Sequence, residues 1–293
     1  MAPLDANGLA GSAAPSFSER FPEPFPPPFA SAWGDDEFGL WADLEVASAD
    51  TSETVTQRLR WIEPGTFVMG SPHDEPERFE WEGPQHEVTI ANGFWLFDTA
   101  CTQALWQAVM GSNPSSFKGF GRPVDSVSWN DVQEFLTRIN EMIPGLDLVL
   151  PTEAQWEYAC RAGTTTPFSF GATITPEEVN YDGNHPYAGG EKGLYRQETV
   201  SVASLPANPW GLYEMHGNVW EWCADHWHDS YQGAPTDGSA WIDEGADPGV
   251  ARVLRGGSWD DYAWSVRSAY RLASDPGYRY SGIGFRCARV QGS

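Results

Sequence analysis

Apolar residues in the middle of the chain fall into three helical periods, each opened by a hydroxyl side chain. Thr102 precedes Leu105, Trp106, Val109 and Met110, which share one face, and Gly111 follows, so the pattern predicts a short capped helix ended by glycine. Ser128 with Asp131 opens a second, in which Val132, Phe135, Leu136, Ile139 and Met142 recur at helical spacing. Thr152 with Gln155 has the spacing of a capping box for a third, which carries Trp156 and Cys160 towards a stop at Gly163. Upstream, alternation begins at Trp33, and Gln57 to Ile62 followed by Gly65 to Gly70 predicts two short strands around a turn. After Gly163 the chain is dense in Gly, Pro, Asn and Asp, broken by short aromatic stretches. Long loops of that kind in a compact domain are ordered for function when aromatics anchor them. The expected class is α+β, with few short helices and strands and long ordered loops over residues 31–293. Residues 1–30 are rich in Pro, Ala and Ser and end in Pro22 to Pro28, which predicts a flexible, extended N-terminal arm.

Charge narrows the partners. Asp plus Glu number 41 against 17 Lys plus Arg, a net charge of -24, so attraction to nucleic acid or to an anionic membrane is excluded as a leading role. A surface so negative favours solubility. Fifteen tryptophans offer large areas both for a core and for a recognition surface. Cys101, Cys160, Cys223 and Cys287 stand far apart, with no C-x-x-C pair, which fits a reducing compartment. No basic segment followed by an apolar stretch opens the chain, and no run reaches the ~18 apolar residues of a spanning helix. A cytoplasmic location without a membrane anchor is the expectation.

Several separated blocks resemble one family. They are Gly65 to Ser71, Pro123 to Asp131, Leu150 to Tyr158, Gly211 to Trp222, Arg255 to Trp259 and Gly284 to Cys287. In this order they are similar to the formylglycine-generating enzymes and the wider sulfatase-modifying-factor family. The resemblance implies a C-type-lectin-like fold of the formylglycine-generating-enzyme type. It also implies chemistry that the residues do not repeat. Enzymes of the family carry two cysteines shortly after the Gly256-Gly257-Ser258 block, for copper and the substrate thiol, and those positions here are Asp261 and Val266. Neither a carboxylate nor an isopropyl group replaces a thiolate, so no redox cofactor is expected. Related sulfoxide synthases hold iron with histidines in a His-x-x-x-His spacing, which is absent; His216, His226 and His228 are the alternative metal candidates, for a metal-dependent oxidoreductase.

The resemblance further implies a structural calcium held by the side chains of Glu214 and Glu221 and the carbonyls of Gly217 and Val219, an oxygen-only set suited to a hard cation. A second family calcium set falls on Asn180, Tyr181 and Leu194, with Lys192 where an acidic residue is wanted.

The C-terminal segment, about 252–289, alternates framework with short islands: Asp260, Asp261 and Tyr262; Ser265; Leu272, Ala273, Ser274 and Asp275; Gly277 and Tyr278; and Tyr280, Ser281 and Gly282. This layout resembles the variable proteins of diversity-generating retroelements, in which template adenines are randomised. Altering the adenines of an asparagine codon yields Asp, Tyr, Ser, Leu, Ala or Gly, and every island residue belongs to that set. Tyr among small residues is also a composition that paratopes favour. The islands are therefore expected to face solvent, while Trp259, Trp264, Val266, Ile283 and Phe285 form the frame. The implied role is a non-catalytic binding module that contacts a protein or another macromolecular ligand.

Overall fold

The computed structural model describes residues 21–47 and 54–290. Each of the three helical periods is a helix: α1 Gln103–Met110, α2 Trp129–Met142 and α3 Glu153–Arg161. Their caps are the residues the sequence marks. Thr102 Oγ1 accepts the Leu105 N–H, and Gly111 ends α1 in the left-handed region at φ 76°. Ser128 with Asp131 and Thr152 with Gln155 form reciprocal capping boxes. Val132, Phe135, Leu136 and Ile139 of α2 are buried, but Met142, expected on the same face, is exposed in the last turn.

The strands assemble into three sheets. The largest runs β1-β2-β3-β6-β11, from β1 Ala32–Asp36, β2 Gly39–Ala47, β3 Thr54–Ile62, β6 Phe94–Phe97 and β11 Ala288–Val290. A two-stranded sheet pairs β4 Gly65–Met69 with β5 His86–Ile90. The third runs β10-β7-β8-β9, from β7 Trp220–His226, β8 Arg252–Arg255, β9 Arg271–Ser274 and β10 Ile283–Gly284. The two strands expected around a turn, β3 and β4, thus belong to different sheets. Glu63 and Pro64 carry the chain between layers instead of closing a hairpin. The content is α+β, and no helix of the described residues is long and apolar enough to cross a membrane.

The main core lies between the largest sheet and α1 and α2. Trp106 stacks on Phe135 with ring centroids 5.4 Å apart, and Phe285 meets both edge-on. A second core packs Trp156 and Cys160 of α3 against β4, β5 and β8 residues such as Met69, Val88 and Val253. One expectation needs correction here. Residues 1–20 lie outside the described residues, but 21–30 are no free arm. Pro22 and Pro27 are buried, Phe25 packs edge-on against Trp33, and Phe29 against Trp95. Two phenylalanines among the prolines give this segment apolar area to bury, which composition read as a whole conceals.

With so little regular structure, charge holds the loops. Four arginines of the C-terminal region have no exposure, and each reaches carboxylates far back in the sequence. Arg271 grips Glu153 through two bonds of 2.7 Å each and donates to the Trp81 and His228 carbonyls. Arg255 pairs with Glu157 and donates to the Tyr270 carbonyl. Arg267 clamps Glu82 at 2.6 and 2.7 Å and Glu75 at 2.5 Å. Arg286 takes both oxygens of Glu221 at 2.6 and 2.8 Å and the carbonyls of Phe97, Asp98 and Tyr213. Planar guanidinium forks suit this task because one side chain satisfies a carboxylate and several loop carbonyls together.

Two outcomes follow. Glu153→Ala strands Arg271 and weakens Arg255, so urea unfolding should show a loss of about 3–5 kcal/mol, whereas Arg279→Ala, which removes only the exposed pair with Asp131, should cost about 1 kcal/mol or less. Equal losses would mean that the buried lattice has no special weight. The second outcome is a pH trend. Burial pushes the carboxyls of Asp98 and Asp225 up to about 7 and that of Asp261 up to about 6. Near neutrality the folded chain therefore binds more protons than the unfolded one, and stability rises as pH falls. Buried His216, lowered to about 4, acts in the opposite sense only below the ordinary histidine range near about 6.5. Melting temperature should increase between about pH 8 and pH 6.5; a decrease in that window would show that these carboxyls are ionised in the fold.

Candidate ligand-binding face

The segment after β8 leaves the core at Gly256 and Gly257, both in the left-handed region at φ 95° and 71°, with Trp156 and Val266 close against them. From there exposed and buried residues alternate. Asp260 and Asp261 are half-buried, Tyr262 is 41% exposed, and Ala263, Val266, Arg267 and Tyr270 are buried. In β9, Arg271 is sealed while Leu272 is exposed and Ala273 and Ser274 are half-buried. Asp275, Gly277 and Tyr278 are exposed around buried Pro276, with Tyr278 at 50%. Tyr280 and Ser281 are half-buried, and Ile283 and Phe285 are sealed.

Four positions depart from expectation. Ser265 is only 2% exposed, because its hydroxyl bonds back to the Tyr262 carbonyl at 2.9 Å inside a single turn of 3-10 helix. Gly282 is buried, and an added Cβ there would lie 2.8 Å from Ser258 Oγ and 2.9 Å from Ser258 Cβ. Trp259 and Trp264, read as framework, are half-buried. Between the islands, Arg279 is exposed and forms two 2.6 Å bonds with Asp131.

Hydrogen bonds tie the islands to one another. Asp260 accepts from Ser258 Oγ at 2.7 Å and from the Tyr280 hydroxyl, and its charge helps hold that phenol above its usual pKa after desolvation. Asp261 accepts from Trp220 Nε1 at 2.7 Å and from the Ser258 N–H at 3.0 Å. The Asn130 N–H bonds the Pro276 carbonyl at 3.1 Å, and the Ser126 N–H bonds the Tyr280 carbonyl at 3.1 Å, so the start of α2 seats the second half of the segment. Neighbouring loops add side chains that the sequence did not single out. His185 stacks on Tyr262 at 3.8 Å, Tyr195 lies parallel to Trp259 at 6.3 Å, and Phe117 meets Trp259 edge-on at 5.2 Å. Phe120 and Leu194 are 68% and 57% exposed. The only sequence signal for these was aromatic and apolar content in long Gly/Asn loops.

The alternative chemical residues are engaged otherwise. His216 is buried; its Nδ1 faces the Val266 carbonyl at 2.7 Å and must carry the proton, while Nε2 accepts the Ser169 N–H at 3.1 Å, so no lone pair is left for a metal. His226 Nδ1 accepts the Asp243 N–H at 3.1 Å, and His228 stacks on Trp241 at 3.6 Å. Among the described residues, no three His, Cys, Asp or Glu side chains converge in a metal-holding group. All four thiols are buried, and desolvation pushes them up, Cys160 to about 12, which keeps them protonated and unreactive. Val266, one of the two positions where the resemblance implied a cysteine, is sealed, and Asp261, the other, is half-buried.

The side chains of the first implied calcium set are engaged with protein partners. Both oxygens of Glu221 are held by Arg286, and one also accepts Trp156 Nε1 at 2.7 Å. Glu214 turns to the Ala203 and Leu205 N–H groups, and burial pushes its carboxyl up to about 7. The Gly217 carbonyl accepts the Val219 N–H at 2.9 Å. In the second set Asn180 Oδ1 is buried without a hydrogen-bond partner, but Lys192 is exposed and supplies no anion.

The chain is similar to several known proteins. The chain is 34% identical to the formylglycine-generating enzyme of Mus musculus over 69% of its length, and spans 53% of that protein, about half. It is 34% identical to the formylglycine-generating enzyme of Streptomyces coelicolor, covering 80% of this chain and 76% of the relative. Among solved structures, PvdO from Pseudomonas aeruginosa superposes with a TM-score of 0.69 at 32% identity, over 80% of this chain and 94% of that one. Treponema denticola variable protein 1 superposes with a TM-score of 0.64 at 26% identity, over 85% and 99%, so the resemblance to variable proteins extends to the fold. The sulfatase-modifying factor enzyme 1-like domain model matches residues 45–291, and the chain belongs to that family.

Proposed function

We propose that this chain is a non-catalytic binding module: a variable protein of a diversity-generating retroelement, on a C-type-lectin-like scaffold, whose residues 260–281 contact a macromolecular ligand. The observation that carries the reading is the division of one continuous segment into sealed anchors and accessible islands. Arg267, Tyr270, Arg271 and Phe285 are buried, while Tyr262, Leu272, Asp275, Gly277 and Tyr278 are exposed. Exposed substitutions shift stability by about 0.5 kcal/mol or less, so such positions accept change while the anchors fix the backbone. Tyrosines give each variant large, rigid contact area at low entropic cost. Ser265 and Gly282 leave the contact set, since neither is accessible. Similarity to the Treponema denticola variable protein supports the reading, and the displaced cysteine pair and protonated thiols speak against the oxidase chemistry of the enzymatic relatives.

Stability measurements on substitutions test the division. Tyr278→Ser and Gly277→Ser should unfold at the same urea concentration as the parent within about 0.5 kcal/mol, and Gly282→Tyr should lose more than about 2 kcal/mol through overlap with Ser258. Comparable losses at all three would remove the proposed division. The gene's surroundings test the diversification itself: a near-copy of codons 252–289 that differs only at adenines, beside a reverse transcriptase, is expected, and a locus with neither ends it. Purified protein supplied with copper and a thiol peptide should consume no oxygen above background; turnover would instead establish the oxidoreductase alternative.

Calcium gives a separate outcome. A cation at a hundredfold its dissociation constant would stabilise the fold by about 2.7 kcal/mol, several degrees for a chain of this size. Because Glu221 is committed to Arg286, melting temperature in calcium and in chelator should agree within about 1 °C. A rise of several degrees would restore the family's calcium site.

A further inference from the structure

The hairpin of β1 and β2 lies mostly ahead of the family-matched residues, which begin at 45, and it folds against the domain to leave an open cleft of about 440 Å³. That size is in the range of small-ligand sites. Phe38 and Asp35 come from the hairpin; Trp61, Glu63, Tyr158 and Trp210 come from the domain.

The cleft is built by close backbone approaches. The Phe38 N–H bonds Asp36 Oδ1 at 2.9 Å and fixes the hairpin tip. Gly211, in the left-handed region at φ 72°, lets Phe38 sit where a Cβ would be 2.8 Å from the Phe38 Cβ. Opposite, Tyr158 and Trp210 form a corner, with ring centroids 4.9 Å apart and planes at 69°. Tyr158 donates its hydroxyl to the Glu63 carbonyl at 3.2 Å, and burial holds the phenol at about 12, so this wall stays neutral. The rim carries two exposed carboxylates, Asp35 and Glu63, and the lining contains no lysine or arginine. Arg60, just outside, lies 5.3 Å from the Phe38 ring centroid and is paired with Asp36 at 2.6 Å. The Phe38 ring thus already carries a cation, its charge paired with Asp36.

We propose that this cleft binds an organic cation, a quaternary ammonium group of the choline type. Aromatic faces present negative quadrupole to such a group, and its bulk and weak hydration suit a wide, partly apolar cleft better than a metal ion. The two rim carboxylates supply the charge complementarity that a neutral apolar ligand would not use. Because the cleft uses none of residues 260–281, this site does not depend on the variable-face reading.

Calorimetric titration of the full chain with choline chloride tests it, with tryptophan fluorescence as a second readout. Saturable binding at about 1 mM or tighter is expected. The neutral isostere 3,3-dimethylbutan-1-ol should bind about tenfold more weakly, the scale of one cation–π contact. Asp35→Asn with Glu63→Gln, both exposed and safe for folding, should weaken choline at least about threefold, and Trp210→Ala should weaken it further. A peptide bearing trimethyllysine distinguishes the source: tighter binding than choline assigns a protein partner, and weaker binding a free small molecule. Equal affinity for choline and its neutral isostere, no saturation of choline, or indifference to the carboxylate variant would each overturn the proposal.

Discussion

Buried arginine–carboxylate pairing is the constraint on which the other features depend. A chain with this little helix and strand cannot hold its loops by backbone ladders alone, and sealed loop carbonyls must still find donors. Arg255, Arg267, Arg271 and Arg286 meet both needs, because each neutralises a distant glutamate and donates to loop carbonyls. Removing charges from water is costly, so these pairs are not a simple gain in stability. Their effect is geometric: a guanidinium half satisfied is so unfavourable that the loops have essentially one arrangement. The C-terminal segment is thereby fixed at 255, 267, 271 and 286, and the exposed residues between those points need contribute little to folding.

This separation explains why the same segment contains the most rigid and the most replaceable positions. Anchors point inward to Glu75, Glu82, Glu153, Glu157 and Glu221, all in earlier parts of the chain. The intervening tips rest on Trp220, on the start of α2 and on each other. The Asp260–Tyr280 pair is the exception, since each partner shapes the other's environment. Exchange at one of them would leave the second half-satisfied, so those two positions are coupled while Tyr262 and Tyr278 vary independently.

Much of this was legible in the chain. The caps Thr102, Ser128 and Thr152 are local signals that depend on the next few residues alone, and they placed all three helices. The separated motif blocks indicated the family. What sequence did not disclose depends on long-range packing. Nothing local distinguishes Ser265 from Ser281, yet a hydroxyl turned back onto Tyr262 seals the first. Gly282 and Gly277 differ only in whether Ser258 stands behind them. Nothing near Glu221, the expected calcium ligand, announces that Arg286, 65 positions away, bonds both its oxygens. Likewise the segment from Phe21 to Ala30 looked like a tether by composition, but Phe25 and Phe29 each found a tryptophan.

Those same N-terminal contacts explain why a second site can exist without disturbing the first. The β1–β2 hairpin adds to the edge of the largest sheet, pairing through β2 with β3, and its tip reaches back only as far as Arg60 and Gly211. None of the four buried arginines contacts it, so the hairpin is free of the lattice that fixes the variable segment. An addition that pairs at a sheet edge and closes a cleft against aromatic side chains changes the surface and leaves the core register intact. On the two proposed readings, recognition would rest on different physical means: tolerance of substitution between fixed arginines on one face, and an aromatic-lined cleft at the sheet edge.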